Sequence, residues 1–586
     1  MRGGELRTGL RFGMLLLLLL ASQGSGCAPV PPRPGFVLIL IDTLRADHLG
    51  AYGYSRPTSP FLDALASRGI LFEQAIAAAP WTLPSGMALM TGRLPSSHRV
   101  ENDGIRLPAG VPTLAETLRG SGYATSAVVS HIYVSALFGF DRGFERFQDF
   151  GLSRDYRFEA GLEPRAEKVT ARALEEFRAL KGRPFFLLVH YFDPHWDYDP
   201  PPPYDTRFTG PYAGSIRGSY QSFSRYIPPG ADLSPEDRRH LEDLYDGEIA
   251  YTDAQVGSLL EGLRREGAGG ETLVVVTSDH GEEFKEHGSL GHGRNLYDEV
   301  VKVPLIVSRL GSSGVPRRVA EQVRGIDLFP TLCELAGTKT PPGVQGKSLV
   351  PWLTGGGGAS RGAVSETIRF DAYRKSYREP GRKIIVRLED NRREFYDLAS
   401  DPGEKRNLWD GKEGRGRLME EALFSQVDVA VGGWNLRWSS DGTPHRFSGS
   451  IETDGLFTSV LPLFSEANRH RVVRGKRIDF DLQEVSVGGG LSFSVEPPDA
   501  RVGFALALDG REEAETVRIG GERLQPPATP FSFSGVVRSD LFRKPTYRSG
   551  GETGFFLWKS PGESPADRVE LSDAMKERLR SLGYIQ

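Results

Sequence analysis

The sequence predicts an α/β protein with a doubly wound, mostly parallel sheet, a small C-terminal α+β subdomain and an additional C-terminal β-sandwich-like domain. Three short apolar runs, at 36–41, 184–189 and 273–277, alternate with helical segments, as in a sheet built by right-handed crossovers. From about residue 427 the chain changes to short alternating strands separated by turn signals. At 586 residues the chain is long enough for about two or three domains.

Composition and charge exclude some classes of protein. The apolar content of 39% supports a proper core, and the net charge of -4 is near neutral for this length. A nucleic-acid-binding protein would carry a basic footprint, which is absent here. The two cysteines, Cys27 and Cys333, are too few for a zinc-cysteine site, and we expect no structural disulfide. Cys333 lies in an apolar helical pattern and is expected to pack in a core.

Residues 1–27 predict an export signal. Three arginines precede a hydrophobic run at 14–21, and small residues continue from there to Cys27. The run is short for a membrane span. Cys27 suggests a lipoprotein, although Gly24 stands where the lipid-attachment signal usually has a leucine. We predict an exported protein, periplasmic or at the cell surface, with lipidation at Cys27, simple cleavage and an uncleaved anchor as the open options.

Each of the three apolar runs ends in acids or histidines. The first run ends in Asp42, the second continues into His190 and then His195, and the third is followed by Asp279 and His280. In α/β sheets, ligands bind just beyond the carboxyl ends of the strands. Carboxylate oxygen beside imidazole nitrogen suits a divalent metal such as zinc or manganese. A solvated surface turn would explain the third end alone, but three such ends favour a metal site.

The segment PWTLPSGMALMTGR, at 80–93, predicts a helix with Pro84 in its first turn. Thr82 then lies at or just before the N-terminus of that helix. Free backbone N–H groups and the positive end of the helix dipole favour an anion such as sulfate or phosphate there. The Thr82 hydroxyl could act as a nucleophile once a metal lowers its pKa. A simple helix-capping role is the alternative.

The remaining patterns divide the chain into domains. Further helices are predicted at 166–180, 235–266 and 327–336, with another strand at 303–307. The glycine run at 355–358 marks a boundary, and 383–388 with 394–398 predicts a hairpin beyond it. An amphipathic stripe of Met575, Leu579 and Leu582 predicts a short closing helix. The predicted units are a catalytic α/β domain at 35–354, a subdomain at 361–412, a β-rich domain at 425–560 and a C-terminal helix within 564–586.

Several motifs, in order, carry a resemblance to a known family. They are FVLILIDTLRADHLGAYGY from Phe36, PWTLPSGMALMTGRLPSSH from Pro80, SDHGEEFKEHG from Ser278 and GHGRNLYDEVVKVPLIV from Gly291. Together they resemble the sulfatase family of the alkaline phosphatase superfamily. VRGIDLFPTLCELAG and EFYDLASDPGEKRNL are similar to the closing segments of that family. The resemblance covers roughly residues 35–410 and implies a sulfate or phosphate ester substrate, on a glycan or lipid head group among others.

The resemblance also implies roles for individual residues. His195, and Arg294 where sulfatases usually carry a lysine, would hold the oxyanion of the ester. His292 would protonate the leaving group or bind the metal. The implied metal ligands are Asp42, Thr82, Asp279 and His280, and the implied catalytic residues are Thr82, His195, His292 and Arg294.

Some positions depart from the sulfatase pattern. Thr82 stands where a sulfatase has the Cys or Ser that is oxidised to formylglycine, and threonine cannot give that aldehyde, so no formylglycine is expected. Gly86 replaces the signature arginine. These departures make the chain similar to phosphoethanolamine transferases, lipoteichoic acid synthases and nucleotide pyrophosphatase/phosphodiesterases. The second-metal pattern of the phosphodiesterases, D-x-x-x-H, has the wrong spacing at Asp193-Pro194-His195. We therefore expect one divalent metal ion: zinc, manganese or calcium.

The sequence thus predicts an exported, metal-dependent hydrolase of sulfate or phosphate esters in which Thr82 attacks. Two alternatives remain open. One is a transferase that moves a phosphoethanolamine or phosphoglycerol type of head group onto a glycan or lipid. The other is a non-catalytic, sulfatase-like protein whose β-rich domain binds a glycan.

Overall fold

The first half of the chain forms a central sheet in the computed structural model. The nine strands of this sheet and one small hairpin are β1 (Phe36–Ile41), β2 (Ile70–Ile76), β3 (Ala124–Val128), β4 (Arg146–Gln148), β5 (Phe185–Tyr191), β6 (Leu273–Ser278), β7 (Glu283–Phe284), β8 (Leu290–Gly291), β9 (Lys302–Arg309), β10 (Arg317–Val319) and β11 (Val323–Arg324). The order in the sheet is β10-β2-β9-β6-β1-β5-β3-β4, with β11 also beside β2. Strand β9 is antiparallel to β2 and β6, and the other neighbouring pairs are parallel.

The described part of the chain has several gaps. It comprises residues 33–153, 164–311, 314–410, 414–429, 432–463, 470–473, 475–485, 488–512, 517–520, 530–533, 539–542, 544–545, 552–562 and 564–581. The predicted export signal and Cys27 lie outside these residues. In the described ranges, no helix is long and apolar enough to cross a membrane.

Helices cover both faces of the central sheet. The α-helices are α1 (Pro60–Ala66), α2 (Thr82–Thr91), α3 (Pro95–His98), α4 (Leu114–Gly120), α5 (Ala166–Leu180), α6 (Tyr220–Phe223), α7 (Pro235–Arg265), α8 (Asp298–Val301), α9 (Leu328–Leu335), α10 (Val350–Leu353), α11 (Gly414–Gln426) and α12 (Asp573–Ser581). Side chains alternate between the faces of β1: Phe36 and Leu38 join a core with α2, α4 and α9, whereas Val37 and Ile39 join a core with α1, α5 and α7. Burying each such side chain contributes about 1.5–3 kcal/mol. The predicted doubly wound α/β fold is confirmed.

A second, antiparallel sheet follows the central one. It is formed in the order β12-β13-β14-β15 by β12 (Ala363–Arg369), β13 (Ala372–Glu379), β14 (Arg382–Arg387) and β15 (Arg392–Asp397). The predicted hairpin at 383–398 is its second half. The sheet packs on the central domain: the Ser365 hydroxyl donates to the Ala77 carbonyl, and the Thr367 hydroxyl donates to the Gly293 carbonyl.

The β-rich region consists of two five-stranded sheets. One has the order β18-β21-β16-β25-β23 and the other β19-β20-β17-β22-β24, where the strands are β16 (Trp434–Ser439), β17 (His445–Thr453), β18 (Leu456–Pro462), β19 (His470–Val473), β20 (Arg477–Val485), β21 (Gly489–Glu496), β22 (Val502–Leu508), β23 (Val517–Ile519), β24 (Phe531–Phe533) and β25 (Gly554–Lys559). A shared core that includes Trp434, Trp438 and Phe504 joins the two sheets. This is the layered packing of a β-sandwich.

After the sandwich the chain returns to the central domain. Arg568 forms an antiparallel bridge with Ile105, and the Val569 amide donates to the Gly104 carbonyl at 2.8 Å. Helix α12 then buries Met575 and Leu579 in the core beneath α2 and α4. Leu582, the third residue of the predicted stripe, lies outside the described residues. The domain boundaries drawn from the sequence stay predictions, since the described residues from Pro34 onward form one compact unit.

Candidate active site

Three neighbouring parallel strands bring the predicted metal ligands together. Strand β1 lies between β5 and β6, and Ile41 is in register with Tyr191 on one side and Ser278 on the other. Asp42 and Asp279 each follow the last residue of a strand, so both project from the same edge of the sheet. Their side chains are fully buried.

Asp42, Asp279 and His280 form a cluster of potential ligands whose donor atoms lie within 4.8 Å of one another. His280 Nε2 is 3.5 Å from Asp42 Oδ1 and 3.5 Å from Asp279 Oδ2. His280 Nδ1 lies 2.9 Å from the Gly281 carbonyl. A carbonyl can only accept, so Nδ1 donates and Nε2 is left with a lone pair directed at the carboxylates.

The two carboxylates need a cation. Asp42 Oδ1 and Asp279 Oδ2 are buried without a hydrogen-bond partner among the described residues. Burial, and next the Asp279 charge, raise the pKa of Asp42 well above its ordinary range. Two buried acids that face each other without a cation are costly. Their oxygens and the His280 nitrogen therefore fit a divalent metal ion, and elsewhere in the described ranges no other such group of three is found.

Thr82 reaches this cluster from the N-terminus of α2. Thr82 is the first residue of the helix and is fully buried, and its Oγ1 lies 3.3 Å from both Asp42 Oδ2 and His280 Nε2. The Ser85 hydroxyl donates to the Asp279 carbonyl at 2.6 Å, which ties the first turn of α2 to the end of β6. The capping alternative is not observed, since the helix has Trp81 at its N-cap position. Gly86 leaves little room, because a Cβ there would lie 3.3 Å from the Phe140 ring.

A further nitrogen donor faces the cluster. His190 lies within β5, which extends to Tyr191 and thus beyond the apolar run that predicted it. Its Nε2 is 3.6 Å from Asp42 Oδ2 and has no hydrogen-bond partner among the described residues. Burial lowers the pKa of His190 to about 4, which keeps the ring neutral and its nitrogen available. The sequence placed His190 at this edge of the sheet but did not assign it to the metal site.

A layer of rings lies over the cluster and contains two of the predicted catalytic histidines. The His292 ring lies 4.5 Å from the His280 ring and 4.9 Å from the His195 ring. Trp196 stacks on His292 at 4.6 Å. Beyond them, His131 stacks on Phe192 at 4.5 Å. His292 therefore lies beside the proposed ligand His280, and His195 lies next to His292, whereas His131 has no counterpart in the sequence-based set.

Glu282 orients His292 and was not predicted. Glu282 is fully buried, its Oε1 lies 2.9 Å from His292 Nδ1, and its Oε2 accepts a hydrogen bond from the Tyr198 hydroxyl at 3.0 Å. Burial raises the pKa of Glu282 well above its ordinary range and lowers that of His292 well below. The sequence indicated only that Glu282 and His292 lie in the same polar loop, and it gave no sign of the contact between them.

Arg294 lies at the rim of the site. Its guanidinium carbon is 4.4 Å from the centre of the Phe370 ring, and its Nη1 donates to the Phe370 carbonyl at 3.3 Å. Burial lowers the pKa of Arg294. Among the described residues it makes no hydrogen bond to the four proposed ligands. The Gly293 amide donates to the Pro80 carbonyl at 2.9 Å, which holds this loop against the segment that leads into Thr82.

His287, whose role the sequence left open, points elsewhere. Its Nδ1 lies 2.6 Å from Glu299 Oε1, and its ring stacks on Tyr297 with centroids 3.5 Å apart. Its Nε2 lies 3.0 Å from the Glu404 carbonyl. His287 therefore connects the loop to α8 and to the segment that follows β15, and it contributes no atom to the cluster.

Comparison with known proteins gives two family matches. The model described as Sulfatase matches residues 34–338, and the model described as N-sulphoglucosamine sulphohydrolase, C-terminal, matches residues 285–423. Both segments include parts of the site, since the first contains the strand ends and the second contains the loop with His292 and Arg294.

Individual relatives agree with these matches. A Delta 4,5-hexuronate-2-O-sulfatase from Bacteroides thetaiotaomicron is 28% identical over 426 residues, which is 65% of this chain and 85% of the relative. A choline-sulfatase from Rhizobium meliloti is 26% identical over 462 residues, 69% of this chain and 87% of the relative. The crystal structure of a phosphonate monoester hydrolase of Agrobacterium radiobacter has a TM-score of 0.52 and 26% identity, over 64% of this chain and 91% of that one.

Proposed function

The chain belongs to the sulfatase family of the alkaline phosphatase superfamily, and on that premise we propose that it is a metal-dependent enzyme whose nucleophile is Thr82. The family makes it a hydrolase of sulfate or phosphate esters. One observation carries the proposal about Thr82: its hydroxyl, at the start of a buried helix, lies 3.3 Å from both Asp42 and His280. An N-capping or packing role would not require a buried hydroxyl that faces a carboxylate and an imidazole.

The donor set supports a single divalent metal. Asp42, Asp279, His280 and the Thr82 hydroxyl would hold it, and His190 is suitably placed to add a second imidazole. Mixed carboxylate and imidazole ligands favour zinc or manganese over calcium, which prefers an all-oxygen set. When bound, such an ion lowers the pKa of the threonine hydroxyl and polarises an ester oxygen. No formylglycine is needed in this scheme.

The chain's own residues then define the reaction. Thr82 Oγ1 gives its proton to water and attacks sulfur or phosphorus. A new bond forms to that oxygen, and the bond to the leaving alcohol breaks with its electron pair on the alcohol oxygen. His292 supplies a proton to that oxygen from Nε2, because its Nδ1 is engaged by Glu282. The helix N-terminus of α2, His195 and Arg294 stabilise the developing charge. Water resolves the covalent intermediate and restores the hydroxyl.

The family relatives also guide the choice of substrate. Two of them are named for esters of a hexuronate and of choline, and one solved structure is named for phosphonate monoesters. We therefore propose a sulfate or phosphate ester of a glycan or a small polar head group. The transferase alternative retains the same nucleophile and differs only in the acceptor, so the product decides between the two.

The test uses protein of residues 28–586, reconstituted with zinc or manganese. Hydrolysis of an aryl sulfate, a phosphate monoester and a phosphodiester is compared between the wild type and Thr82→Ala, with Thr91→Ala as a control at the other end of α2. We expect turnover that is lost in Thr82→Ala and kept in Thr91→Ala. Undiminished activity of Thr82→Ala would refute the nucleophile, and a protein that binds no metal and hydrolyses none of the three would favour glycan binding.

We also propose that the protein is exported. Support comes from the sequence alone: basic residues, a hydrophobic run and small residues up to Cys27. Cell fractionation with mass spectrometry of the N-terminal peptide would find the protein outside the cytoplasm and show whether Cys27 carries an acyl chain. A full-length N-terminus on cytoplasmic protein would contradict the proposal.

A further inference from the structure

A cavity lined by charged residues lies between the central domain and the second sheet. Its volume is about 570 Å³, within the range of small-molecule binding sites in proteins. The central domain contributes residues that follow Asp42, residues 286–287, and the region from α8 to the start of β9. The second sheet contributes Arg378 and residues of the segment 398–405 that follows β15. None of the described residues that line the cavity is a proposed metal ligand or catalytic residue, so the cavity is separate from the active site.

Arginines neutralise most acids of the cavity. Arg45 is buried, and its Nε and Nη2 donate to the two carboxylate oxygens of Asp47 at 2.9 and 2.8 Å. Its Nη1 donates to Glu286 Oε1 at 2.7 Å. Arg378 Nε and Nη2 donate to the two carboxylate oxygens of Asp298 at 3.0 and 2.8 Å. Both arginines are therefore engaged by the protein's own acids.

Two lysines of the cavity have no acidic partner among the described residues. Lys302 lies at the start of β9 and is half-buried, and its ammonium group makes no hydrogen bond with those residues. The Lys405 ammonium group donates to the carbonyl of Glu286, which is neutral. The remaining acid, Glu299, is engaged by His287. The cavity therefore carries positive charge that the described side chains leave uncompensated, and an anion would compensate it.

Further hydrogen-bonding groups are available in the same cavity. The Gln74 side-chain oxygen accepts from Arg378 Nη1 at 2.8 Å, which leaves the amide nitrogen without a partner among the described residues. Glu299 contacts His287 through Oε1, and its Oε2 makes no hydrogen bond in the described part of the chain. One donor and one acceptor are thus available to the hydroxyl groups of a ligand. A cavity of this volume is also much larger than a single sulfate or phosphate ion.

We propose that this cavity binds a small organic anion, a carboxylate or phosphate on a hydroxylated body, with Lys302 and Lys405 as its charge partners. Lys302 belongs to the central sheet and Lys405 to the segment after β15, so the bound anion joins two parts of the chain that are distant in sequence. Binding does not require the proposed ester hydrolysis, because the active-site residues take no part in it.

Two residues that line the cavity also hold the loop at Glu282. Arg45 Nη1 donates to the Glu282 carbonyl at 2.9 Å, and the Glu299 carbonyl accepts from the Glu282 amide at 3.2 Å. Glu282 in turn contacts His292. An anion that restrains Arg45 and Glu299 therefore restrains Glu282 as well, which links the cavity to the active site. We expect binding to slow hydrogen exchange at the Glu282 amide.

The test measures binding by isothermal titration calorimetry with metal-reconstituted Thr82→Ala protein, so that a phosphate ester is not consumed. The probes are glucose, glucuronate and glucose 6-phosphate, which share one body and differ in charge. Each probe is titrated into this protein and into the same protein with Lys302→Gln, Lys405→Gln or both. Lys168→Gln is the matched control, since Lys168 is an exposed lysine of α5 that does not line the cavity.

One of the two anionic probes is expected to bind about 10- to 100-fold more tightly than glucose, as for a charge-assisted hydrogen bond at a partly buried site. Lys302→Gln and Lys405→Gln should each reduce this preference, and the double variant should bring it close to one. Lys302→Arg should retain most of it, and Lys168→Gln should leave it unchanged. The preferred probe should also raise the Tm.

The outcomes separate this inference from the proposed function. Equal Kd values for the three probes would overturn the anion site. A preference for an anionic probe that the double variant keeps, in protein with an unchanged Tm, would place the anion elsewhere, such as the active site, and would also overturn it. Ester hydrolysis is measured separately with protein that retains Thr82. Its absence would reject the proposed function, whereas binding that depends on the two lysines would retain the cavity site.

Discussion

Replacing Glu282 by glutamine should remove the proton supply to the leaving group without removing the nucleophile. Glu282 Oε1 lies 2.9 Å from His292 Nδ1, and Oε2 accepts from the Tyr198 hydroxyl. Tyr198 therefore fixes the carboxyl group so that Oε1 faces the imidazole. In the proposed mechanism His292 gives its Nε2 proton to the leaving oxygen, and it can then accept a proton from Glu282 at Nδ1. A glutamine keeps the shape of this contact but has no proton to give.

The size of the effect depends on the leaving group. General acid catalysis contributes about 10²- to 10⁴-fold when the leaving group is a poor one. Because glutamine keeps the contact and lacks only the proton, we take the lower end of this range, about 10². We therefore expect kcat to fall about 100-fold for alkyl esters. For a 4-nitrophenyl ester, whose anion leaves without a proton, the fall should be within about threefold.

The assay is a leaving-group series measured with the wild type, Glu282→Gln and Tyr198→Phe. Tyr198→Phe keeps the acid and loses only one hydrogen bond that orients it, so its losses should be smaller and follow the same order. An equal loss of kcat across the series would show that Glu282 acts on packing or on the metal, and the reasoning about His292 would fail.

Stability should fall as the pH drops from about 6.5 towards about 3, because burial lowers the pKa of His98 to about 3 in the folded protein while the unfolded chain takes up a proton near 6.5. His98 donates a hydrogen bond to the Pro84 carbonyl in the first turn of α2. In His98→Gln the free energy of unfolding, measured by denaturation, should therefore depend less steeply on pH than in the wild type. An identical slope would contradict this prediction. His190→Ala should weaken zinc or manganese binding about 10- to 100-fold in equilibrium dialysis, by analogy with residues that support metal ligands, whereas unchanged affinity would exclude it from the site. Leu579→Ala should lower the free energy of unfolding by about 2–5 kcal/mol, measured by denaturant titration, and a loss below about 0.5 kcal/mol would mean that α12 is not part of the core.

The ends of the buried strands could be predicted because their chemistry is local. The apolar runs before Asp42 and Asp279 identify strands, and the parallel arrangement implied by the intervening helices brings their carboxyl ends to one edge. Thr82 was located by the proline in the same helical turn. His190 was harder to assign, because β5 continues through it and an apolar strand can equally hold a histidine for packing.

The unpredicted residues depend on contacts between distant parts of the chain. Tyr198 and Glu282 are 84 positions apart, and Arg45 and Glu282 are 237 apart. No periodicity relates such pairs. The turn at Phe370, between β12 and β13, lacks the asparagine and glycine by which such a turn is recognised in a sequence. The direction of β9 relative to its neighbours could not be predicted either, because its apolar run fits a parallel or an antiparallel neighbour equally well.

The return of the chain to its first domain sets the order in which the protein can be completed. Phe36 and Leu579 belong to the same hydrophobic core, although nearly the whole chain lies between them. Synthesis delivers residues from the N-terminus onward, and domains generally fold as they emerge. Here α12, which packs in the core of the catalytic domain, is synthesised only after the β-sandwich. A protein shortened at its C-terminus would therefore lose part of its catalytic core while the intervening sandwich remained intact.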